Sequence, residues 1–240
     1  MKRLCLLLLG LSIPAVAADW PQFLGPTADG VSTETGLIDA FPKGGLKPLF
    51  AKRIGTGYAA PSIRDGKAVV FHRASKLYKV EEGDNFETVV KYVNAELAAL
   101  KAKERLTVED LQKSLKETTR RVPRGYIPLP EAVAKHLDVE VIDCLDAKTG
   151  NLIWRHAYPT GYEDPYGYNN GPRCAPLITK DRIYTYGAEG VLMCLDFATG
   201  KQIWQRDTHK DFTVIPNFFG VGSTPVLEDG LLLTMVGGQP

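Results

Sequence analysis

The chain has 240 residues, of which 44% are hydrophobic and 24% are charged, and its formal net charge is +1. This composition is typical of an ordinary globular protein and excludes both an intrinsically disordered chain and a helical membrane bundle. The small net charge provides no global electrostatic attraction to nucleic acid, so no nucleic-acid partner is expected.

The N-terminus predicts a secretory signal peptide over residues 1–18. Two basic residues precede an apolar run over residues 4–13, and the segment ends in small residues at Ala18. The apolar run is too short to span a bilayer as a helix, which weighs against the alternative of a retained membrane anchor. Residues 19–240 are therefore expected in the periplasm or outside the cell, without stable membrane insertion after signal cleavage.

An eleven-residue stretch recurs fifty residues further along the chain. The sequence CLDAKTGNLIW at residues 144–154 returns as CLDFATGKQIW at residues 194–204, with seven positions identical in register. A unit of this length, built from short apolar runs and turn residues, is typical of an all-β fold, the β-propeller of four-stranded antiparallel blades. The polar residues are expected to form turns, and the tryptophans to wedge between blades. The repeat residues are Asp146, Thr149, Gly150, Trp154, Asp196, Thr199, Gly200 and Trp204.

A second recurring element predicts three β-hairpins. Short apolar runs flank a polar turn in residues 60–71, 175–186 and 224–235, each with a proline near its beginning. Together the motifs amount to about two and a half blades, whereas a propeller needs at least four. An open ring would leave bare strand edges, so residues 19–240 are expected to be an incomplete propeller from the N-terminal part of a longer protein. The alternative is a complete short chain that closes by oligomerising.

Residues 74–138 predict a helical insertion in the first blade. Apolar residues recur at helical spacing over residues 86–100, a capping-box pattern begins at Thr107, and a short helix is expected after Pro130. Residues 122–130 are predicted to be an irregular, partly extended link. A cluster of basic residues predicts a solvated helix face, with an anion or nucleic-acid site as the alternative. These basic residues are Lys113, Lys116, Arg120, Arg121 and Arg124.

Three cysteines follow the signal peptide: Cys144, Cys174 and Cys194. Because their number is odd, at least one thiol is unpaired or is paired between chains. Cys144 and Cys194 occupy equivalent repeat positions and are expected on corresponding strands of neighbouring blades. There they are predicted to be small apolar residues of a packed strand, with a disulfide as the alternative.

Two loops that lead from one blade to the next contain the candidate binding residues. Tyr, Asn and acidic side chains in residues 159–173 suit hydrogen bonding to a polar ligand or a peptide, and residues 208–219 form the second loop. The alternative is that the tyrosines cover the blade junction while Asn and Gly make turns. The candidate rim residues are Tyr162, Asp164, Tyr166, Tyr168, Asn169, Asn170, Arg173, Asp211 and Asn217.

The pattern Asp-x-x-Thr-Gly-x-x-x-Trp, at residues 146–154 and 196–204, resembles the repeat of the pyrroloquinoline quinone (PQQ)-like β-propeller superfamily. The segments DWPQFLGP at residues 19–26 and GTGYAAPS at residues 55–62 are similar to those of secreted bacterial members. Phe50 stands where such proteins often carry Trp. The superfamily includes PQQ-dependent dehydrogenases and the non-enzymatic BamB-like outer-membrane assembly factors.

The resemblance implies two functions of different classes, because members share the blade and differ in the site. We expect a non-catalytic binding or assembly scaffold with a protein or polymer partner at the propeller rim. The alternative is a PQQ-dependent oxidoreductase of alcohols or sugars, with PQQ and calcium as cofactors and catalytic residues mostly beyond this fragment. The sequence has no adjacent cysteine pair, no haem attachment motif and no metal-ligand cluster, so no catalytic residue, metal site or cofactor is predicted from the residues themselves.

Overall fold

The structure, a computed structural model, describes residues 18–118, 122, 124–214 and 219–237. Most of the predicted signal peptide and part of the basic cluster lie outside these residues, and no helix among the residues described is long and apolar enough to cross a membrane. The strands are β1 (Ser62–Arg64), β2 (Lys67–Ala74), β3 (Leu77–Lys79), β4 (Tyr126–Pro128), β5 (Val139–Asp146), β6 (Leu152–Pro159), β7 (Leu177–Ile178), β8 (Arg182–Tyr186), β9 (Val191–Asp196), β10 (Gln202–Asp207), β11 (Val226–Glu228) and β12 (Leu231–Leu233). The helices are α1 (Phe86–Ala99), α2 (Val108–Glu117), α3 (Glu131–Ala134) and α4 (Thr208–Asp211).

Two four-stranded antiparallel sheets form two consecutive blades. Blade 1 has the strand order β1-β2-β5-β6, and blade 2 has the order β7-β8-β9-β10. The pair β11-β12 forms a separate hairpin. The predicted partial all-β propeller, with a helical insertion in its first blade, is thereby confirmed. In the β1-β2 turn, Asp65 and Gly66 have φ angles of 49° and 69°, as a two-residue hairpin of the I′ type requires.

The repeated Asp, Thr and Gly residues build the same turn between the two outer strands of each blade. Asp146 Oδ1 accepts hydrogen bonds from the Thr149 amide and the Thr149 hydroxyl, both at 2.8 Å. Asp196 accepts the equivalent bonds from Thr199 at 2.9 and 2.6 Å. The glycine that follows each threonine has a φ of 70°, a conformation that glycine adopts at no steric cost. The sequence repeat therefore encodes the same hydrogen-bonded turn in each blade.

Trp154 packs across the junction between the blades. Its indole Nε1 donates to Phe197 O in the turn of blade 2 at 3.1 Å, and a Cβ atom at Gly200 would overlap its ring. Phe50 makes the equivalent contact one blade earlier, because a Cβ atom at Gly150 would overlap the Phe50 ring. Each repeat glycine thus admits an aromatic ring from the preceding outer position.

Trp204 differs from its repeat partner. Its ring lies 6.0 Å from that of Tyr184 in the same blade, and 36% of the residue remains exposed. The predicted position of Trp204 between two blades stays a prediction, because the described residues after blade 2 form only the hairpin β11-β12 and contain no further Asp-Thr-Gly turn for the ring to pack against.

The N-terminal segment joins the innermost strands of the two blades. Trp20 exchanges two backbone hydrogen bonds of 2.9 Å with Ile63 of β1, and Pro21 O accepts from the Ile178 amide of β7 at 2.8 Å. The Asp19 carboxylate also accepts from the Asp65 amide at 3.0 Å. This segment therefore acts as a strap across both blades.

The core between the blades is apolar and contains one of the three cysteines described, Cys144. Cys144 lies on β5 and Cys194 on β9, which are corresponding strands, as predicted. Cys144, Cys174 and Cys194 are buried free thiols, so the predicted apolar packing is observed rather than a disulfide. The core residues are Val69, Phe71, Ile142, Cys144, Tyr158, Ile178, Ile183, Met193, Leu195 and Phe197.

The segment between β2 and β5 folds around its own apolar core. Helix α1 is capped by Asn85, and α2 begins with the predicted capping box, in which Thr107 and Asp110 bond each other reciprocally. Strands β3 and β4 form a two-stranded sheet, which the sequence had only suggested as an extended link near residues 122–130. The core residues are Ala74, Tyr78, Val89, Val93, Leu97, Leu106, Leu111, Leu129, Val133, Ala134, Leu137 and Val141.

A buried ion-pair network fastens α1 to blade 1. The Arg155 guanidinium donates to both Asp143 oxygens at 2.6 and 2.7 Å, and to Glu96 Oε2 of α1 at 3.0 Å. His72 Nδ1 accepts from the Gly55 amide at 3.1 Å, so His72 Nε2 carries the proton that it directs at Asp143 over 3.2 Å. Burial acts to raise the pKa of Asp143, but its bonds to Arg155 and His72 lower that pKa to about 2.

The contact between Trp154 and Gly200 is tested by two alanine substitutions. Both Gly200→Ala and Gly66→Ala place a side chain at φ near 70°, but a Cβ at Gly66 meets nothing within 4 Å. We expect Gly66→Ala to cost about 1 kcal/mol in the free energy of unfolding, and Gly200→Ala to cost about 3 kcal/mol because it also displaces the indole ring. Urea unfolding measures both values. Equal losses would show that Trp154 does not wedge against this turn.

The Asp143 network predicts a pH dependence of stability. Since the pKa of Asp143 in the folded protein, about 2, lies below its ordinary 3.8, the carboxylate stabilises the fold above pH ~4 and loses that contribution as the pH falls towards 2. Between pH 4 and pH 2 the unmodified protein should lose about 2 kcal/mol more than an Asp143→Asn variant. Urea unfolding at each pH measures the difference. Parallel pH profiles for the two proteins would contradict this role of Asp143.

Candidate functional site

The loop from residue 160 to residue 176 connects β6 to β7 at the end of the blades where the insertion joins. The Thr160 amide donates to Asp138 O at 3.0 Å, immediately before β5. The Thr160 hydroxyl and the Gly161 amide donate to the Glu189 carboxylate in the β8-β9 turn, at 3.2 and 2.7 Å. The loop is therefore held between the base of the insertion and blade 2.

Asp164 organises the turn within this loop. Its buried carboxylate accepts from the Tyr166 amide at 2.9 Å and from the Asn169 amide at 3.3 Å, and it lies 3.4 Å from Arg173 Nη2. Asn170 Oδ1 accepts from the Asp164 amide at 2.8 Å. These short-range bonds are characteristic of Asx turns, so the acidic and amide side chains serve the loop itself.

Arg173 closes the same loop from its other end. Its guanidinium donates to Gly171 O at 2.5 Å and to Asn169 O at 2.7 Å. The guanidinium carbon also lies 4.9 Å from the centre of the Tyr162 ring and 5.7 Å from that of Tyr58. Such cation–π contacts add to the hydrogen bonds, so the guanidinium is engaged on every side by the loop and its neighbours.

Arg73, a residue that the sequence interpretation missed, anchors the loop from below. This side chain of β2 is 2% exposed and donates to Tyr162 O, to Asn170 O at 3.2 Å and to Asp138 Oδ1 at 3.0 Å. Burial acts to raise the pKa of Asp138, but Lys76 and Arg73 hold it below its ordinary value. The only sequence signal was an arginine near the end of a strand that is mostly apolar.

Three exposed aromatic residues, Tyr166, Tyr168 and Phe219, form a continuous surface that we call the aromatic rim. The Tyr166 and Tyr168 rings lie 6.3 Å apart, and the Tyr168 and Phe219 rings lie 6.4 Å apart. Their exposed fractions are 59%, 65% and 57%, whereas Tyr162 is only 7% exposed. Tyr162 thus covers the blade junction, and the aromatic rim presents apolar surface to solvent.

The remaining candidate residues lie elsewhere. Asp211, at the end of α4, pairs with Arg206 Nε of β10 at 2.8 Å. Asn217 lies outside the described residues. Phe219, which the sequence placed only within a loop, comes next to Tyr168 because the chain after α4 returns to blade 2, where the Val221 amide donates to Ala188 O at 2.8 Å.

No three His, Cys, Asp or Glu side chains converge on a metal position within the described parts of the chain.

Two antiparallel blades with identical Asp-Thr-Gly turns, joined by an aromatic wedge, define a β-propeller of the repeat type. Residues 138–236 match the family model described as outer membrane protein assembly factor BamB. The resemblance predicted from the repeat is thereby confirmed: this part of the chain is similar to PQQ-like propeller proteins.

Individual proteins show the same similarity over part of the chain. Over 98 residues the chain is 26% identical to the quinohemoprotein alcohol dehydrogenase of Comamonas testosteroni. The aligned region covers 38% of this chain and 13% of that protein. The alignment with the crystal structure of that enzyme covers 42% of this chain and 16% of the enzyme chain, at 23% identity and with a TM-score of 0.32. The alignment with the crystal structure of BamB from Moraxella catarrhalis covers 39% of this chain and 28% of the BamB chain, at 21% identity and with a TM-score of 0.29.

Proposed function

We propose that the protein is a binding or assembly scaffold whose aromatic rim contacts a protein partner in the periplasm or outside the cell. The observation that carries the proposal is the exposure of Tyr166, Tyr168 and Phe219 side by side, with the two tyrosines on a braced loop and Phe219 on the segment after α4. Tyrosine is enriched among the residues that contribute most to protein interfaces, because its ring is large, rigid and amphipathic.

The way the loop is braced also supports a binding role. Arg73, Asp164 and Arg173 hold the backbone from below, from within and from the end, so little conformational entropy remains to be lost when a partner binds. Asp164 and Arg173 of this loop are paired with each other, and Glu163 lies 3.5 Å from Lys76, so each charged group has a partner beside the exposed aromatic rings. Such a surface suits aliphatic and proline side chains of a protein better than a charged ligand.

The comparisons support this proposal at the level of the family. The matching family model is described as an outer-membrane assembly factor, which is consistent with a partner that is itself a protein. A signal peptide over residues 1–18 would deliver the protein to the same compartment. Both the secretion of the protein and its binding to a protein partner are parts of the proposal.

The alternative is a PQQ-dependent oxidoreductase, favoured by the similarity to the quinohemoprotein alcohol dehydrogenase. It is tested on the full-length protein by titration with PQQ and calcium, following cofactor absorbance and dye-linked oxidation of alcohols and sugars. Saturable cofactor binding with turnover would replace the scaffold proposal with the enzyme.

The scaffold proposal predicts that a partner protein lies directly on the aromatic rim. A photo-crosslinking phenylalanine analogue at position 168 or position 219 should give one discrete adduct in cells, and mass spectrometry should identify the same protein at both positions. The same analogue at Ile153, an exposed apolar residue of β6, provides the matched control. It should give no such adduct.

The interaction is then measured with the identified protein. The double variant Tyr166→Ala/Tyr168→Ala should weaken its binding at least tenfold without a matching loss of thermal stability, because both rings are exposed. Adducts that are equal at all three positions, or unchanged affinity in the double variant, would contradict the proposal.

A further inference from the structure

A cavity of about 220 Å³ lies between blade 1 and the insertion, beside the aromatic rim. Its walls come from the end of β2, the segment at residues 53–57, strands β3 and β4, and helix α1. The volume is below the roughly 300–1,000 Å³ of sites for drug-sized molecules, so it suits a smaller ligand. Four tyrosines contribute to the wall: Tyr78, Tyr92, Tyr126 and Tyr168.

Most charged groups of the wall are already paired, and Lys79, which has no ion pair among the described residues, is exposed to solvent. Arg53 makes a two-oxygen contact with Asp84, with both distances at 3.0 Å. Arg73 is paired with Asp138, as described above, and Glu96 with Arg155 at 3.0 Å. Because the charges of Arg53, Arg73 and Glu96 are already neutralised by their partners, these groups give a charged ligand no counter-ion.

The hydroxyl groups of the wall, by contrast, are available. Tyr78 donates to Asp84 Oδ2 at 2.9 Å, but the hydroxyls of Tyr92, Tyr126 and Tyr168 have no hydrogen-bond partner among the residues the structure describes. Each phenolic hydroxyl is both a donor and an acceptor, and each ring offers an apolar face. This combination matches a molecule that carries several hydroxyl groups on a compact carbon frame.

The wall is also held rigid. The Arg53 guanidinium carbon lies 4.4 Å from the centre of the Tyr78 ring and 5.1 Å from that of Tyr92, and the two rings meet edge to face at 5.6 Å. The network around Arg155 fixes Glu96 on the same helix face as Tyr92. A cavity built in this way does not need to be ordered by its ligand.

We propose that this cavity binds a neutral, polyhydroxylated small molecule of about the size of a monosaccharide. The hydroxyls of Tyr92 and Tyr126 bond the ligand hydroxyls, and the tyrosine rings contact its carbon frame. This inference is independent of the scaffold function, because of the residues named for the cavity only Tyr168 belongs to the aromatic rim.

Binding is tested on the full chain by ligand-observed NMR and calorimetry. The probes are glucose, galactose and mannose, with glucuronate and glucosamine as charged counterparts of the same size. At least one neutral sugar should bind saturably, and both charged sugars at least tenfold more weakly than it. Failure of all three neutral sugars to saturate at tens of millimolar, or tighter binding of a charged sugar, would overturn the proposal.

Two conservative variants locate the site. Tyr92→Phe and Tyr126→Phe each remove one hydroxyl and keep the ring, so each should weaken the binding of the neutral sugar about three- to tenfold. Tyr166→Phe, in the aromatic rim but outside the cavity wall, is the matched control and should leave the affinity unchanged. Thermal unfolding checks that each variant folds. Equal affinities for Tyr92→Phe, Tyr126→Phe and the unmodified protein would show that the sugar binds elsewhere.

Discussion

The guanidinium of Arg73 is the constraint on which the geometry of this part of the protein depends. It lies at the point where blade 1, the base of the insertion and the loop before blade 2 meet, and it bonds an acceptor in the loop and one at the insertion base. One of its partners, Asp138, begins the return of the chain into β5, so the same ion pair places the insertion above the blade. A buried arginine with a fixed fork of donors suits this task, because one planar group can bond several acceptors at once.

The turns and helix caps depend on interactions between residues that are close in the sequence, whereas the site depends on interactions between residues that are far apart in it. Turns such as that of Asp146 and Thr149 use bonds between residues three positions apart, and the helix caps at Asn85 and Thr107 are equally local. The turns and the cap at Thr107 were predicted from the sequence because they depend on residues three positions apart, whereas the cap at Asn85 was not predicted. The hairpins and the helical spacing of α1 were predicted from the sequence as well.

The remaining features could not be predicted because their partners are distant in the sequence. Arg73 bonds residues more than sixty positions away, and Arg155 reaches Glu96 across 59 positions. The position of Trp154 against blade 2 followed from the repeat, but the exposure of Trp204 did not, since it depends on what lies beside each blade. Tyr166 and Tyr168 of the aromatic rim were predicted from the sequence, but Phe219 was not. Phe219 joins the rim through the path of a loop, which no motif indicates.

Two surfaces with different chemistry therefore meet at one end of the propeller. The aromatic rim is open and apolar, while the cavity beneath the insertion is lined by tyrosine hydroxyls, and the ring of Tyr168 borders both. Both surfaces derive their rigidity from the ion pairs below them, and the helical insertion supplies one wall that the repeat alone would not provide. This arrangement agrees with a propeller superfamily whose members share the blade and differ in what is added to it.

The central claim, that Arg73 holds the loop of the aromatic rim in place, is tested most directly by amide hydrogen exchange. Arg73→Lys keeps the charge and the pairing with Asp138 but removes the fork that bonds Tyr162 O and Asn170 O. We expect the amides of Tyr166, Asn169 and Gly171 to exchange at least tenfold faster in the variant, while those of β8 and β9 are unchanged. Unaltered protection of the loop amides would contradict the claim.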